Sequence, residues 1–171
     1  MRILGSLLSL LVLLSCQSVL AQPKPVISTK YSNSEIEKMM SNYRVTHSHD
    51  ITPSNVLQNK FHTDFPDASD VEWETAVDIY EVDFEIGRVD YEAYYDKEGN
   101  LFIYSFDIWE ADLPAIVKNA AIAKYPDYTF DDLKEIRKGT DVLYKIELER
   151  HKRDVTLLIK NDGTILKEKN D

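Results

Sequence analysis

Residues 80–84 read YEVDF and residues 144–148 read YKIEL, so one alternating pattern occurs twice in this chain. Apolar and charged residues alternate in both copies, as they do in a β-strand with one buried face and one solvated face. The match continues towards the N-terminus, where FPD at residues 65–67 corresponds to YPD at residues 125–127. The second half of the chain therefore repeats the first.

The correspondence also continues towards the C-terminus. DKEGN at residues 96–100 corresponds to KNDGT at residues 160–164, and both segments place a Gly in a predicted hairpin turn. The offset between the copies is 60 residues at the FPD motif and 64 residues at this turn. Four residues are therefore inserted in the second copy, near residues 138–141.

Each copy is predicted to form one helix followed by four antiparallel strands. The first copy spans residues 52–110 and begins at Thr52 and Pro53, a favourable N-cap and first-turn pair. The second copy spans residues 111–171. Residues 52–171 are predicted to form one compact α+β domain, a tandem repeat of a helix plus a four-stranded antiparallel sheet.

The alternation assigns one face of the predicted sheet to the core and the other to solvent. The predicted core consists of Tyr80, Val82, Phe84, Tyr91, Ala93, Tyr95, Leu101, Tyr144, Ile146, Leu148, Val155, Leu157 and Ile159. The opposite face is predicted to carry carboxylates at Glu81, Asp83, Glu85, Glu92, Glu147 and Glu149.

Four aromatic residues of the first copy are expected on the same side as those carboxylates: Tyr94, Phe102, Tyr104 and Phe106. Exposed aromatic clusters often mark interaction sites. We therefore expect a partner-binding face in the first copy, made of these four residues together with Glu81, Asp83 and Glu85. The alternative is that the helix predicted before the repeats, or Trp109, folds over the aromatic residues as a second small core.

The N-terminus is typical of an exported protein. Residues 1–21 combine a basic start, a short uncharged apolar run and small residues at its end, which predicts a signal peptide too short to span a membrane. Two processing routes remain open. Cleavage after Ala21 gives a periplasmic or secreted protein, whereas lipidation of Cys16 gives a protein anchored in the envelope.

Residues 22–51 are predicted to form a Pro-stiffened spacer and a short helix outside the repeats. Ser32 and Glu35 have the spacing of a capping box, in which each side chain accepts a hydrogen bond from the backbone of the other residue. Apolar residues follow at helical spacing. This helix is expected to pack on the repeats or on a partner.

The charge of the chain excludes some classes of partner. The formal net charge is −10, and Lys and Arg form no basic run. Binding to the phosphates of nucleic acids or docking on an anionic membrane surface is therefore disfavoured. We expect a protein or peptide partner, no nucleic acid, and no membrane insertion of the mature chain apart from a lipid anchor at Cys16.

Four motifs of the first copy form one string: FPDA at residues 65–68, VEWE at residues 71–74, YEVDF at residues 80–84 and YDKEGN at residues 95–100. This string resembles the PepSY-like, beta-lactamase-inhibitor-like family of exported Gram-negative proteins. The resemblance covers residues 53–169 and implies a tandem helix-plus-sheet fold like that of the beta-lactamase inhibitor protein. A similar fold does not convey an activity.

The sequence contains no recognisable catalytic set. The four histidines are His47, His49, His62 and His151, and no Ser lies in a nucleophile-elbow pattern. The five glycines form no phosphate-binding loop. We predict that the protein is not an enzyme and needs no cofactor, and that its function is to hold a protein or peptide partner, with inhibition of that partner as one form of this function.

Cation binding is the alternative function. Asp96 and Glu98 place carboxylates around a Gly, loosely like a calcium-binding loop, although a hairpin turn also explains them. Residues 47–50 (HSHD) offer three potential ligands but an incomplete zinc set, so a polar loop is preferred there. This alternative describes a calcium-responsive envelope protein.

Overall fold

The computed structural model of the chain describes residues 25–151 and 153–170. The predicted signal peptide and Cys16 lie outside these residues. The helices are α1 (Asn33–Val45), α2 (Asn55–Asp64) and α3 (Ala115–Lys124), with a short 3-10 turn at Glu110–Asp112. The strands are β1 (His49–Asp50), β2 (Ser69–Ala76), β3 (Ile79–Ile86), β4 (Val89–Asp96), β5 (Leu101–Asp107), β6 (Thr129–Lys138), β7 (Asp141–Arg150), β8 (Arg153–Lys160) and β9 (Ile165–Asn170).

The nine strands of the described residues form one antiparallel sheet, in which their order follows the order of the sequence. β5 pairs with β6, so that Phe106 lies opposite Glu135 and the sheet continues from the first half into the second. The predicted α+β class is confirmed. The two sheets predicted as separate four-stranded units are one surface, and β1 adds a short strand at its edge.

Two helices lie on one face of the sheet, which we call the inner face. α2 covers the first half, where the ring of Phe61 lies 4.9 Å from that of Phe84. α3 covers the second half, where Val117 and Ile146 are fully buried in the same cluster. Burying one such side chain stabilises the fold by about 1.5–3 kcal/mol. The predicted core is confirmed, although Tyr80 and Tyr91 are only half-buried.

The first repeat helix begins later than predicted. Ser54 is its N-cap, and the Ser54 hydroxyl accepts a hydrogen bond from the backbone N–H of Leu57 at 3.4 Å. The start predicted at Thr52 and Pro53 is therefore two residues too early. A hydroxyl cap satisfies a backbone donor at the first turn, and Pro53 lies before it. Pro66 follows the last turn, as predicted.

α1 lies on the other face of the sheet, which we call the outer face. The predicted capping box is confirmed, because the backbone N–H of Ser32 donates to the Glu35 carboxylate at 2.8 Å and the N–H of Glu35 donates to the Ser32 hydroxyl. Ile36 and Met40 are buried, in one cluster with Phe102. The helix therefore stabilises a second apolar core on the outer face of the first half.

The insertion in the second copy holds the beginning of α1. Asn33 donates to the carboxylate of Asp141 at 2.8 Å, and Lys138 forms an ion pair with Glu37 at 2.9 Å. Gly139 approaches α1 so closely that a Cβ there would lie 2.3 Å from the Asn33 side-chain oxygen. The four inserted residues thus lengthen the β6–β7 hairpin towards α1.

A β-bulge in β5 changes which face its aromatic residues occupy. Leu101 pairs with Tyr95 and Ile103 pairs with Tyr94, so Phe102 is an extra residue on its strand. A one-residue shift moves every later side chain to the opposite face. Tyr104 therefore lies on the inner face, and placing it on the same face as Tyr94 is wrong. The same correction applies to Phe106, which packs against the inner core.

The segment before α1 is attached to the sheet rather than free. The backbone N–H of Ser28 donates to the carbonyl of Leu101 at 2.7 Å, and Ile27 packs against the inner core of the first half. Tyr31 contacts Phe102 edge-on at a ring distance of 6.0 Å. The described part of the predicted spacer thus passes from the inner core to α1 on the outer face.

Candidate functional site

A groove of about 650 Å³ lies on the outer face, between α1 and the second half of the sheet. One wall is the side of α1, and the floor is formed by β4 to β9. Its lining residues are Glu37, Met40, Ser41, Arg44, Val45, Glu92, Tyr94, Ile103, Ser105, Ile136, Lys138, Leu143, Lys145, Leu158 and Lys167.

The floor of the groove is apolar where β6, β7 and β8 each place one aliphatic side chain on the outer face. Ile136 pairs with Leu143 across β6 and β7, and both side chains point to the outer face. Leu158 follows on β8, half-buried, opposite Lys145. Because successive side chains of a strand point to opposite faces, the neighbours of these residues along each strand point into the inner core. The floor is therefore one face of a rigid sheet.

The rim of the groove is basic. Lys145 and Lys167 lie on either side of Leu158, each directly opposite it on a neighbouring strand. Arg44 and Lys138 add two further cations on the side of α1. Two of the lysines already have an ion-pair partner, since Lys138 contacts Glu37 and Lys145 contacts Glu147 at 2.5 Å. The second half thus concentrates positive charge on a protein of net charge −10.

The outer face of the first half is acidic instead. Glu81, Asp83 and Glu92 each offer a carboxylate oxygen, and these oxygens lie within 4.8 Å of one another. The hydroxyls of Tyr43 and Tyr94 both donate to the Glu81 carboxylate, the latter at 2.8 Å. These three carboxylates, which we call the acidic triad, include two of the predicted site residues. Glu85 is half-buried and lines a neighbouring depression with Asp83 and Glu92.

The crowding of the acidic triad makes its carboxyl groups harder to ionise. Burial, followed by the charges of Glu81 and Glu92, raises the pKa of Asp83 to about 6. Burial also raises the pKa of Glu81, against the opposing hydrogen bonds from Tyr43 and Tyr94. Desolvation and like charges both disfavour the anionic form, which is the physical cause of these shifts.

The aromatic residues predicted as an exposed cluster are covered. Tyr94 and Phe102 lie beneath α1, and the ring of Tyr43 contacts that of Tyr94 edge-on at 5.8 Å. For these two residues the alternative, in which the N-terminal helix covers them, is therefore correct. Tyr104 is buried on the opposite face. Trp109 is 71% exposed and covers none of them.

Asp96 and Glu98, predicted as tentative cation ligands, both bind the ammonium of Lys30, at 2.7 and 2.9 Å. Asp96 is only 3% exposed and also accepts hydrogen bonds from Tyr31 and from the backbone of Asn100. Burial alone would raise the pKa of Asp96, but these donors outweigh it and hold the pKa well below its usual range. The ammonium group of Lys30 thus occupies the position between both carboxylates that the predicted cation would take.

The histidines are not brought together. His47, His49, His62 and His151 are all exposed. Within the described residues, the acidic triad is the one group of three or more His, Cys, Asp or Glu side chains with a spacing that could hold a metal. Residues 47–50 do not form such a group.

Sequence reasoning did not find the groove, because the groove depends on where α1 docks. A signal was nevertheless present. The repeat aligns Tyr94 with Leu158 and Phe102 with Leu166, so these two outer positions of the second half are apolar although no aromatic residue marks them.

A single antiparallel sheet with helices on both faces defines an α+β fold. Comparison with known proteins identifies the family within this class. The chain belongs to the family described as "Putative beta-lactamase-inhibitor-like, PepSY-like", which matches it twice, at residues 34–103 and 104–167. The first matched segment includes α1, which the repeat pattern had left outside. A comparison with curated protein sequences gives no match.

Solved structures share this fold at low sequence identity. A BLIP-like protein from Bacteroides fragilis has 21% identity and a TM-score of 0.61, over 70% of this chain and 87% of that chain. A DUF2874 family protein from Bacteroides uniformis has 18% identity and a TM-score of 0.63, over 70% and 90%. A protein from Bacteroides eggerthii described as "putative periplasmic" has 17% identity and a TM-score of 0.64, over 70% and 90%.

The described helices are all too short or too polar to cross a membrane.

Proposed function

We propose that the protein is an exported, non-enzymatic binding protein that holds a protein or peptide partner on the outer face of the second half of its sheet. The observation that carries this function is the groove of about 650 Å³ beside α1, which combines an apolar floor with a charged rim. Protein interfaces commonly combine an apolar centre with a polar edge. The predicted binding face therefore moves from the first half, which α1 covers, to the second.

Membership of the family supports a binding function. The family is described as beta-lactamase-inhibitor-like, and an inhibitor of an enzyme acts by binding it. One structural neighbour is described as BLIP-like. The fold alone does not identify the partner, so beta-lactamases are one candidate class among protein partners.

The arrangement of polar side chains favours binding over catalysis. A catalytic base is usually oriented by a second group inside a pocket that excludes water. The four histidines are exposed, and the acidic triad contains carboxylates without a histidine or a cysteine. The groove itself combines aliphatic residues with charged ones of both signs and contains no histidine or cysteine, a composition that suits recognition.

Export is supported by two observations. Residues 1–21 have the pattern of a signal peptide, with Cys16 as the alternative lipidation site. One structural neighbour is described as periplasmic. We therefore place the partner in the periplasm, at the envelope or outside the cell.

Site-specific photo-crosslinking in the producing cell tests the proposed face. A benzoylphenylalanine at Leu166, which is 43% exposed on the outer face, is compared with one at Ile122, which is 42% exposed on α3. These positions are matched in polarity and exposure but lie on opposite sides of the molecule. We expect a crosslinked envelope protein from position 166 and not from position 122. Equal crosslinking from both positions, or crosslinking from 122 alone, would reject the outer face.

The alternative function, cation binding through surface carboxylates, is supported by the 4.8 Å spacing of the acidic triad. Oxygen ligands of this kind suit calcium. If the triad binds calcium, added calcium raises the melting temperature of the wild type and not that of Asp83→Asn. If calorimetry detects no heat of calcium binding and calcium leaves the melting temperature of the wild type unchanged, this alternative is rejected, and the proposed binding function is not affected.

A further inference from the structure

The two faces of the sheet carry different numbers of helices. Within residues 25–151 and 153–170, the inner face has α2 over the first half and α3 over the second. The outer face has α1, whose apolar side chains cluster with those of the first half. The repeat therefore presents a second outer surface for which these residues supply no helix of their own.

The positions that α1 covers have apolar counterparts in the second half. Tyr94 corresponds to Leu158, since each belongs to the last regular residue pair before a bulge in the neighbouring strand. Phe102 and Leu166 are the extra residues of those two bulges. A bulge turns its extra residue out of the regular alternation, so both side chains belong to the outer face.

The hairpins show the same correspondence. Ala76 pairs with Ile79 at the end of the β2–β3 hairpin, and both belong to the cluster beneath α1. Ile136 pairs with Leu143 near the end of the β6–β7 hairpin and lines the groove with it. The surface that receives a helix in the first half is thus repeated, with aliphatic side chains, in the second.

The groove offers a second helix two walls. α1 contributes Ser41, Arg44 and Val45, of which Val45 is 83% exposed although it is aliphatic. The sheet contributes Leu158, and Leu166 follows beside it on β9. A helix lying parallel to α1 would cover aliphatic surface on both walls, which is the helix-in-groove mode of peptide recognition.

The charges around the two surfaces are reversed. In the first half Glu81 accepts a hydrogen bond from Tyr43 of α1, and the corresponding residue in the second half is Lys145. Lys145 lies opposite Lys134 on one side, and Lys167 follows across Leu158 on the other. Asp107 and Glu147 of this chain each neutralise one of the facing lysines, at 3.4 Å from Lys134 and 2.5 Å from Lys145. Like charges directly opposite each other on a sheet are destabilising, so further carboxylates from a partner would complement this lysine-rich surface.

On the basis of the proposed function, we infer that the partner inserts an acidic amphipathic helix into this groove. Its apolar stripe lies on Leu158 and Leu166 beside α1, and its flanking carboxylates meet Lys145 and Lys167. α1 itself shows the required spacing, because its buried residues Ile36, Met40 and Tyr43 follow the i, i+4, i+7 pattern. The partner segment carries apolar residues at that spacing and Asp or Glu at the flanking positions.

A designed peptide tests this occupant directly. The probe is a fluorescein-labelled 16-residue peptide with leucines at i, i+4 and i+7 spacing, glutamates at the flanking positions and a lactam bridge on its outer side to hold the helix. A scrambled peptide of the same composition and a version with lysine in place of glutamate are the controls. Fluorescence anisotropy with the mature protein at 150 mM salt gives the dissociation constants.

We expect micromolar binding of the acidic helix and at least about 10-fold weaker binding of both control peptides. The double variant Lys145→Glu/Lys167→Glu and the variant Leu166→Glu each weaken the acidic helix about 10-fold. Ile122→Glu, matched in exposure, and Lys97→Glu, a charge reversal in the β4–β5 turn, leave it within about twofold. Circular dichroism of each variant verifies that it is folded.

Absence of binding, or equal binding by wild type and the charge-reversed variant, overturns the acidic helix. If position 166 still crosslinks to an envelope protein in that case, the proposed binding function stands and only the identity of the segment fails. If the purified protein is a dimer that Leu166→Glu dissociates, the groove belongs to a second copy of the chain, which also overturns the inference. If the helix binds but no protein crosslinks, the function fails while the groove chemistry stands.

Discussion

The outer face of the sheet carries two different surfaces on strands that repeat. In the first half, Tyr94 and Phe102 are buried under α1 and the charges at the edge of the helix are carboxylates. In the second half, Leu158 and Leu166 remain partly open and the neighbouring charges are lysines. The inner faces show no such contrast, since each has one helix over one aliphatic and aromatic core.

This difference shows what the repetition preserves. Core positions such as Val82 and Ile146 must fit a helix that both copies retain, so they stay apolar and buried. Outer positions have no shared constraint, so one copy uses them to hold α1 and the other leaves them available. The formal charge of −10 conceals this division, because a sum over the whole chain does not show how charges are distributed between the two half-faces.

The largest expected effect is a loss of stability, and it compares the outer surface that α1 covers in the first half with the open outer surface of the second half. Ile36→Ala removes a fully buried side chain from beneath α1 and is expected to lower the free energy of unfolding by about 3 kcal/mol. Leu166→Ala removes a partly exposed side chain and is expected to cost less than about 1 kcal/mol. Urea unfolding measures both. Similar losses in the two variants would mean that the second half is covered as tightly as the first.

The next effect compares the two hairpin turns. Asp96→Ala leaves Lys30 and the backbone donors of the turn without their acceptor, which is expected to cost about 2 kcal/mol. Lys160→Ala, at the corresponding position, is expected to change stability by less than about 0.5 kcal/mol.

The pH dependence of the Asp96 contribution has a defined sign. Its folded-state pKa lies below the ordinary value of 3.8, so the contribution is present above that value and is lost as the pH falls below it. The gap between wild type and Asp96→Ala should therefore narrow from pH 5 to pH 2. A gap that stays constant over this range would show that the carboxylate charge is not its source.

The smallest effect is a gain in stability. Because the pKa of Asp83 is raised from 3.8 to about 6, its ionisation opposes folding, and the native state loses stability as the pH rises through that range. Asp83→Asn is expected to stabilise the protein by about 0.5–1 kcal/mol at pH 7.5, after allowance for solvent screening, and by nothing at pH 4. Glu147→Gln, the counterpart beside Lys145, should give no gain. Denaturant midpoints at the two pH values decide between these outcomes.

Local patterns predicted the parts of the fold that depend on neighbours in sequence. The alternation of residues 80–84 correctly gave a strand with Val82 inside, and the spacing of Ser32 and Glu35 correctly gave a capping box. Both patterns report which face or terminus a residue occupies within its own element. The predicted family was also correct, since its motifs combine several such local patterns.

The features that determine the candidate site depend on pairing and docking instead. The bulge at Phe102 exists only in relation to its partner strand, so simple alternation placed Tyr104 on the wrong face. The position of α1 depends on contacts with Asp141 and Lys138, which lie in the inserted residues of the other half. No periodicity in the sequence of α1 records those contacts.

The sequential order of the nine strands has a consequence for how the protein folds. Every strand pairs with its immediate neighbour in sequence, so most pairings close a short hairpin loop at a small cost in chain entropy, and the longer connections, from β1 to β2 and from β5 to β6, each contain one α-helix. α1 is the exception, because the contact of Asn33 with Asp141 joins residues 108 positions apart. We expect the sheet to form first and α1 to dock on it late. Among the described elements, the helix that is synthesised first is then one of the last to reach its place.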